Sequence, residues 1–235
     1  MFAIYKKELR SYFSSPVAYA LIGLFILLSS VFFILINLQQ SYADFSGNLS
    51  TMSFLLLFIV PILTMRILAE EKKNGTEVLL VTSPASITDI VVGKYLAAFS
   101  VYLVMVLITF IYPIILFSFG KPPFAQLLGA YVGFILLGAA FISVGVFASS
   151  LTESQVVAAI IGVVSLLIMW LMDNIASFVG GFVAKILNWF SLLSRYDDFN
   201  RGILNLSPIV YYLSFIAVFI FLTIQVIERR RWSEG

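Results

Sequence analysis

The stretch PVAYALIGLFILLSSVFFILINL, residues 16–38, decides the fold class. It carries no charged residue. At 1.5 Å of rise per residue, a helix of this length crosses the roughly 30 Å of hydrocarbon in a bilayer. Lipid offers no partner to a backbone N–H or C=O, so a spanning segment closes its own hydrogen bonds as a helix. Five more runs of this kind follow. The spans are placed at Pro16–Leu38, Thr51–Leu68, Tyr95–Phe119, Gln126–Ser149, Val156–Met172 and Pro208–Ile227, the second and fifth being short. The chain of 235 residues is 61% hydrophobic and 11% charged, where soluble domains average about 25% charged. The expected class is an all-α integral membrane protein of six transmembrane helices. It forms one transmembrane domain over residues 1–235, with an interfacial helix at 1–15, a cytoplasmic loop at 69–94 and an external amphipathic region at 173–206.

Composition also excludes chemistry. The chain has no Cys and no His, so disulfides, thiolate metal sites and a histidine base are ruled out. No catalytic, cofactor or metal residue is expected. A net charge of +2 gives no reason to expect a nucleic-acid partner. Ten of the fourteen basic residues fall on one side: Lys6, Lys7, Arg10, Arg66, Lys72, Lys73, Lys94 and Arg229 to Arg231. Basic connections stay in the cytoplasm, so both termini are expected there. No carboxylate, Lys or Arg falls near a span midpoint, which argues against an ion-coupled carrier.

Three surface elements stand out. In the first, Phe2, Tyr5, Leu9, Tyr12 and Phe13 recur at helical spacing opposite Lys6, Lys7 and Arg10. That pattern suits a helix in the headgroup plane, among membrane lipids, or one gripping a cytoplasmic partner. The second is AEEKKNGTEVLLVTSP, residues 69–84. Asn74-Gly75 signals a turn, Thr76 can cap a short helix with Glu77 near its start, and Pro84 stops it. Val78, Leu79, Leu80 and Val81 then form an apolar knob on a helix too short to be stable alone in water, so a partner or the headgroup region has to bury it. Glu153, in the LTESQ turn, offers a smaller contact on the same side. The third element is external: Phe178, Phe182, Ile186 and Phe190 lie on one apolar helix face, read either as a surface connector or as a lid over an exit path, followed by the loop SRYDDFNRGILN.

Taken together, KKELRSYFSSPVAY, the run EEKKNGTEVLLVTSP followed by GKYLA, and the outer FNRGIL resemble permease subunits of type II ABC exporters, the ABC-2 class. The gliding-motility-type branch looks nearest. The resemblance covers essentially the whole chain, and its most specific part is E-E-x-x-x-G-T-x-x-L-L-x-T-S-P. It implies a pair of six-span subunits, identical or related, each engaging a separate ATPase. Two copies of that ATPase would bind ATP and Mg. It also implies that Thr76–Thr82 is the coupling helix, with Glu70 and Glu71 as its acidic lead-in and Gly75 as its turn. An accessory protein with an extracytoplasmic domain is compatible with this class, and the bacterial cytoplasmic membrane is its setting. The chain itself lacks a phosphate-binding G-x-x-x-x-G-K-[ST], since Tyr95 and Pro122 follow its Gly-Lys pairs.

Two rivals remain. An intramembrane protease would need paired carboxylates deep in adjacent spans, but Asp197 and Asp198 fall in an external segment. A channel or structural subunit would function without an ATPase partner.

Overall fold

Ser15 and Pro16 turn the chain into its first long helix. In the computed structural model Ser15 Oγ accepts a hydrogen bond from Val17 N at 3.3 Å, and Pro16 takes the first helical position, where its missing N–H costs nothing. The structure describes residues 1–39, 44–76, 86–120, 123–179, 191–200, 202–203 and 205–233. The helices among them are α1 (Phe2–Ser14), α2 (Pro16–Phe32, continued by a π-helical segment Phe33–Leu38), α3 (Ser46–Thr64), α4 (Ala69–Lys73) and α5 (Ile87–Thr109). They continue with α6 (Ile111–Phe119), α7 (Phe124–Leu151), α8 (Gln155–Val179), α9 (Leu193–Asn200) and α10 (Leu206–Ser233). No strand occurs among the described residues.

Among the described residues, six stretches are long and apolar enough to cross a membrane: Pro16–Leu38, Ser46–Lys73, Ile87–Ser118, Phe124–Leu151, Gln155–Met172 and Leu206–Arg230. They correspond one to one with the spans expected from sequence. The differences lie at the polar ends. The second runs on to Lys73 instead of stopping at Leu68, and the third starts at Ile87, eight residues ahead of Tyr95. Hydropathy ends a span at its first charges, whereas a helix continues through Glu and Lys, which are good helix formers.

α3 and α7 form the buried centre, while α2, α8 and α10 turn most of their surface outward. One reason is a row of glycines on α7. A Cβ on Gly133 would lie 2.6 Å from Phe199 Cβ, one on Gly138 would lie 2.2 Å from Tyr102 Cζ, and one on Gly145 would lie 2.1 Å from Thr64 Oγ1. Each glycine therefore receives a side chain from a different helix: α9, α5 and α3. Small residues let helices approach this closely in a membrane. Gly129 and Gly133, at G-x-x-x-G spacing, both face α9 and its end: a Cβ on Gly129 would lie 2.7 Å from Phe199 O.

The prolines behave differently. α3 runs unbroken through Pro61, whose ring packs against Gly162. The third span breaks at Phe110, between α5 and α6. Pro113 has no N–H to give the Thr109 carbonyl one turn back. The Tyr131 hydroxyl of α7 donates to that carbonyl instead, at 3.1 Å, and its ring stacks on Phe110 at 4.2 Å between centroids.

The segment expected as the loop SRYDDFNRGILN starts as helix α9. Tyr196 and Phe199 are fully buried, Phe199 against the α7 glycines. Gly202, at φ +74°, closes α9: Gly202 N donates to Phe199 O and Ile203 N to Asp198 O, at 2.9 and 3.0 Å. This is a Schellman end, and it needs a residue that tolerates positive φ.

Candidate functional site

Polar side chains concentrate at the end of the bundle where α1, α4, the start of α5 and the α7–α8 turn meet. α1 arrives there with its apolar face inward: Tyr5, Leu9 and Phe13 pack on the core and Tyr12 is buried. Tyr12 donates to Leu63 O at 2.9 Å, and burial pushes its hydroxyl above the ordinary phenol range. Lys6 and Arg10 lie on the outer, exposed face. Tyr5 shares a 3.0 Å hydrogen bond with Ser100 on α5.

The centre of the cluster is Lys94, two turns into α5 and only 1% exposed. Its ammonium lies 2.8 Å from Glu71 Oε1 and 3.1 Å from Glu8 Oε1, and it donates to Ile67 O at 2.9 Å. An ammonium has three donors, and these three acceptors use them all. Lys7 approaches the same two carboxylates at 3.8 and 3.9 Å from the exposed side. Two acids and two bases thus balance, as burial of charge requires.

Around this core, Arg66 donates to Ser15 Oγ and Ser11 Oγ, both at 3.1 Å, stacks over Tyr12 and reaches Glu70 at 3.7 Å. Ser149 of α7 bridges the break between α3 and α4. Its Oγ accepts from Leu68 N and Ala69 N and donates to Met65 O, at 3.0–3.1 Å. Helix ends leave such backbone groups without intrahelical partners. α4 itself ends in a second Schellman arrangement: Gly75 at φ +67° donates to Lys72 O, and Thr76 N to Glu71 O. Thr76 Oγ1 also donates back to Glu71 O at 3.2 Å, so its hydroxyl serves the preceding helix. Glu153, in the α7–α8 turn, meets Lys72 at 2.8 Å, and that partner holds its carboxyl below the usual range. A cavity of about 370 Å³ lies among Lys7, Arg66, Glu70, Asn74 and Thr76.

A family model described as ABC-2 family transporter protein matches residues 2–233, nearly the entire chain. The chain belongs to the ABC-2 transporter family. It is a multi-pass membrane protein and a permease subunit of an ABC transporter, and that membership implies an ABC ATPase subunit as its partner. No curated protein matches it.

The structure of this permease brings Glu70, Glu71, Gly75, Thr76 and Glu153 to one end, together with Tyr5, Lys6, Lys7 and Arg10. Glu77, Val78, Leu79, Leu80 and Pro84 lie outside the described residues, as do Phe182, Ile186 and Phe190. Phe178 falls on α8, with its side chain outside the description. Sequence reasoning missed Glu8, Lys94 and Ser149. Signals for the first two were present: Glu8 is the one acid in a basic amino-terminal stretch, and no charged residue follows Lys94 until Lys121.

Proposed function

We propose that this permease is the membrane half of an exporter in the bacterial cytoplasmic membrane, with both termini in the cytoplasm. It pairs with a second permease subunit, identical or related, and is driven by two copies of a separate ATPase that bind ATP and Mg. The loop from Asn74 to Ser86 carries the coupling helix, and Glu153 with the outer face of α1 flanks the same docking area. The permease moves cargo by letting the spans follow that loop when the ATPase subunits close. The gliding-motility-type branch, and an accessory protein with an extracytoplasmic domain, are compatible refinements.

One observation carries this reading. The loop leaves α4 three residues after Glu71 and enters α5 two turns ahead of Lys94, and Glu71 and Lys94 are themselves paired at 2.8 Å. A short helix transmits force only if its ends are anchored, and both ends here are anchored in packed structure. The excess of basic residues at this end supports the orientation.

The test substitutes Leu79→Asp and Leu80→Asp together. Membrane insertion is expected to survive, while association with the ATPase and permease-dependent hydrolysis fall. A complex that assembles and hydrolyses ATP as before overturns the docking assignment. A purified permease that transports without nucleotide or ATPase returns the channel alternative.

A further inference from the structure

The Lys94 cluster joins three segments that are far apart in sequence: α1 through Glu8, α4 through Glu71 and the α3–α4 junction through the Ile67 carbonyl. Nothing in a membrane fold requires a buried ammonium. Taking it out of water is costly, and a well-packed apolar side chain at that position is often as stable or more so. What an ion cluster supplies is geometric definition, because its acceptors have to be held in one arrangement to be satisfied. Beside it, α1 crosses α5 so closely that a Cβ on Gly93 would lie 3.3 Å from Met1 O and 3.4 Å from Ile4 Cβ.

We infer that Lys94 is a positioning residue for energy coupling. It pins α1, α4 and the first turns of α5 into one block, so that force entering the loop moves α1 and the third span together. This rests on the proposed function and deepens it by naming the joint. Remove the ammonium, and Glu8 and Glu71 face each other with only the exposed Lys7 between them. The two carboxylates then repel and lose their shared tether, α1 comes away from α5, and motion of the loop is absorbed locally.

The absence of cysteine makes the joint testable. Ile4→Cys with Gly93→Cys places two sulfurs on Cβ atoms near the short end of disulfide spacing, about 3.5–4.5 Å. The experiment uses the permease–ATPase complex in lipid nanodiscs and reads ATP hydrolysis per assembled complex, oxidised and reduced. Since α1 and α5 move as one, the disulfide is expected to leave hydrolysis unchanged. Lys94→Met is expected to lower permease-dependent hydrolysis about tenfold, a normal size for a lost coupling contact. The disulfide in the Lys94→Met background is expected to restore it, which a purely structural loss of assembly would not show. Oxidation that stops the unsubstituted-Lys94 complex, with recovery on reduction, overturns the inference. So does a Lys94→Met complex that couples normally. Should Lys94→Met fail to assemble, the disulfide in the Lys94 background still decides the matter. If the parental complex shows no permease-dependent hydrolysis in any redox state, it is the proposed function that fails.

Discussion

Ser149 shows how much a single hydroxyl can govern in this fold. The α3–α4 break exposes two N–H groups and a carbonyl, and one Oγ from α7 meets all three. Leaving buried polar groups unsatisfied costs about 1–3 kcal/mol. Ser149→Ala is therefore expected to lose about that much stability in detergent, read as a lower unfolding midpoint, while Ser14→Ala on the exposed face of α1 leaves it in place. The α7 glycines are the complementary case. Gly138→Ala drives a methyl into the Tyr102 ring, itself fixed by a 2.7 Å hydrogen bond to Phe134 O. Overpacking of this kind costs about 1–3 kcal/mol, and the same unfolding assay reads it. A change no larger than that of Ser14→Ala would show that the ring yields freely. The glycine spacing was legible as a close-packing face because it follows from the chain alone. Which side chain enters each notch was not, since Tyr102, Thr64 and Phe199 come from three other helices. Ser149 was invisible for the same reason, its backbone partners lying some eighty residues earlier.

Among the elements, α1 and α4 show where pattern reading stops. The amphipathic face of α1 was clear from its spacing, but periodicity states only that an apolar face is covered, not by what. The structure covers it with α5 and the core, through Tyr12 and the Tyr5–Ser100 bond, and leaves a polar outer face with Lys6 and Arg10. α4 was read as part of a loop because it is short and wholly polar after Ala69. It is helical because Ser149 caps its start and Gly75 closes its end. Gly75→Ala forces a left-handed backbone on an L-residue, at a cost of about 1–2 kcal/mol. It is expected to fray α4 and raise hydrogen exchange at Lys72, Lys73 and Thr76, with α5 protected as before. Lys72–Glu153 ties α4 to the α7–α8 turn across exposed surface. Because Lys72 lowers the Glu153 pKa, that tie is present above the ordinary carboxylate range and is lost as pH falls through the lowered value. Glu153→Gln is accordingly expected to remove the acid-side change in exchange at α4 while leaving the bundle's unfolding midpoint unmoved.

At the scale of the molecule, six spans were legible because hydrocarbon thickness sets their length and their lack of charge, and both are written in the sequence. Their packing order was not: the mean hydropathy of the buried spans, 2.2, lies too close to the 2.3–2.7 of the peripheral ones to tell centre from rim. Charge bias sets the orientation, and here it can be checked directly. Thr76 and Ile203 are exposed at opposite ends of the bundle, one following α4 and the other following α9. Each can carry a single reporter cysteine in a chain that has none. With ten of fourteen basic residues on the Thr76 side, Ile203→Cys is expected to react with a membrane-impermeant maleimide in intact cells. Thr76→Cys is expected to react only once the membrane is opened. The reverse pattern would place the Lys94 cluster and the loop outside, where no cytoplasmic ATPase could reach them. Labelling of both in intact cells would mean that an even number of the three helices between them crosses the membrane, and the charge argument would fall with it.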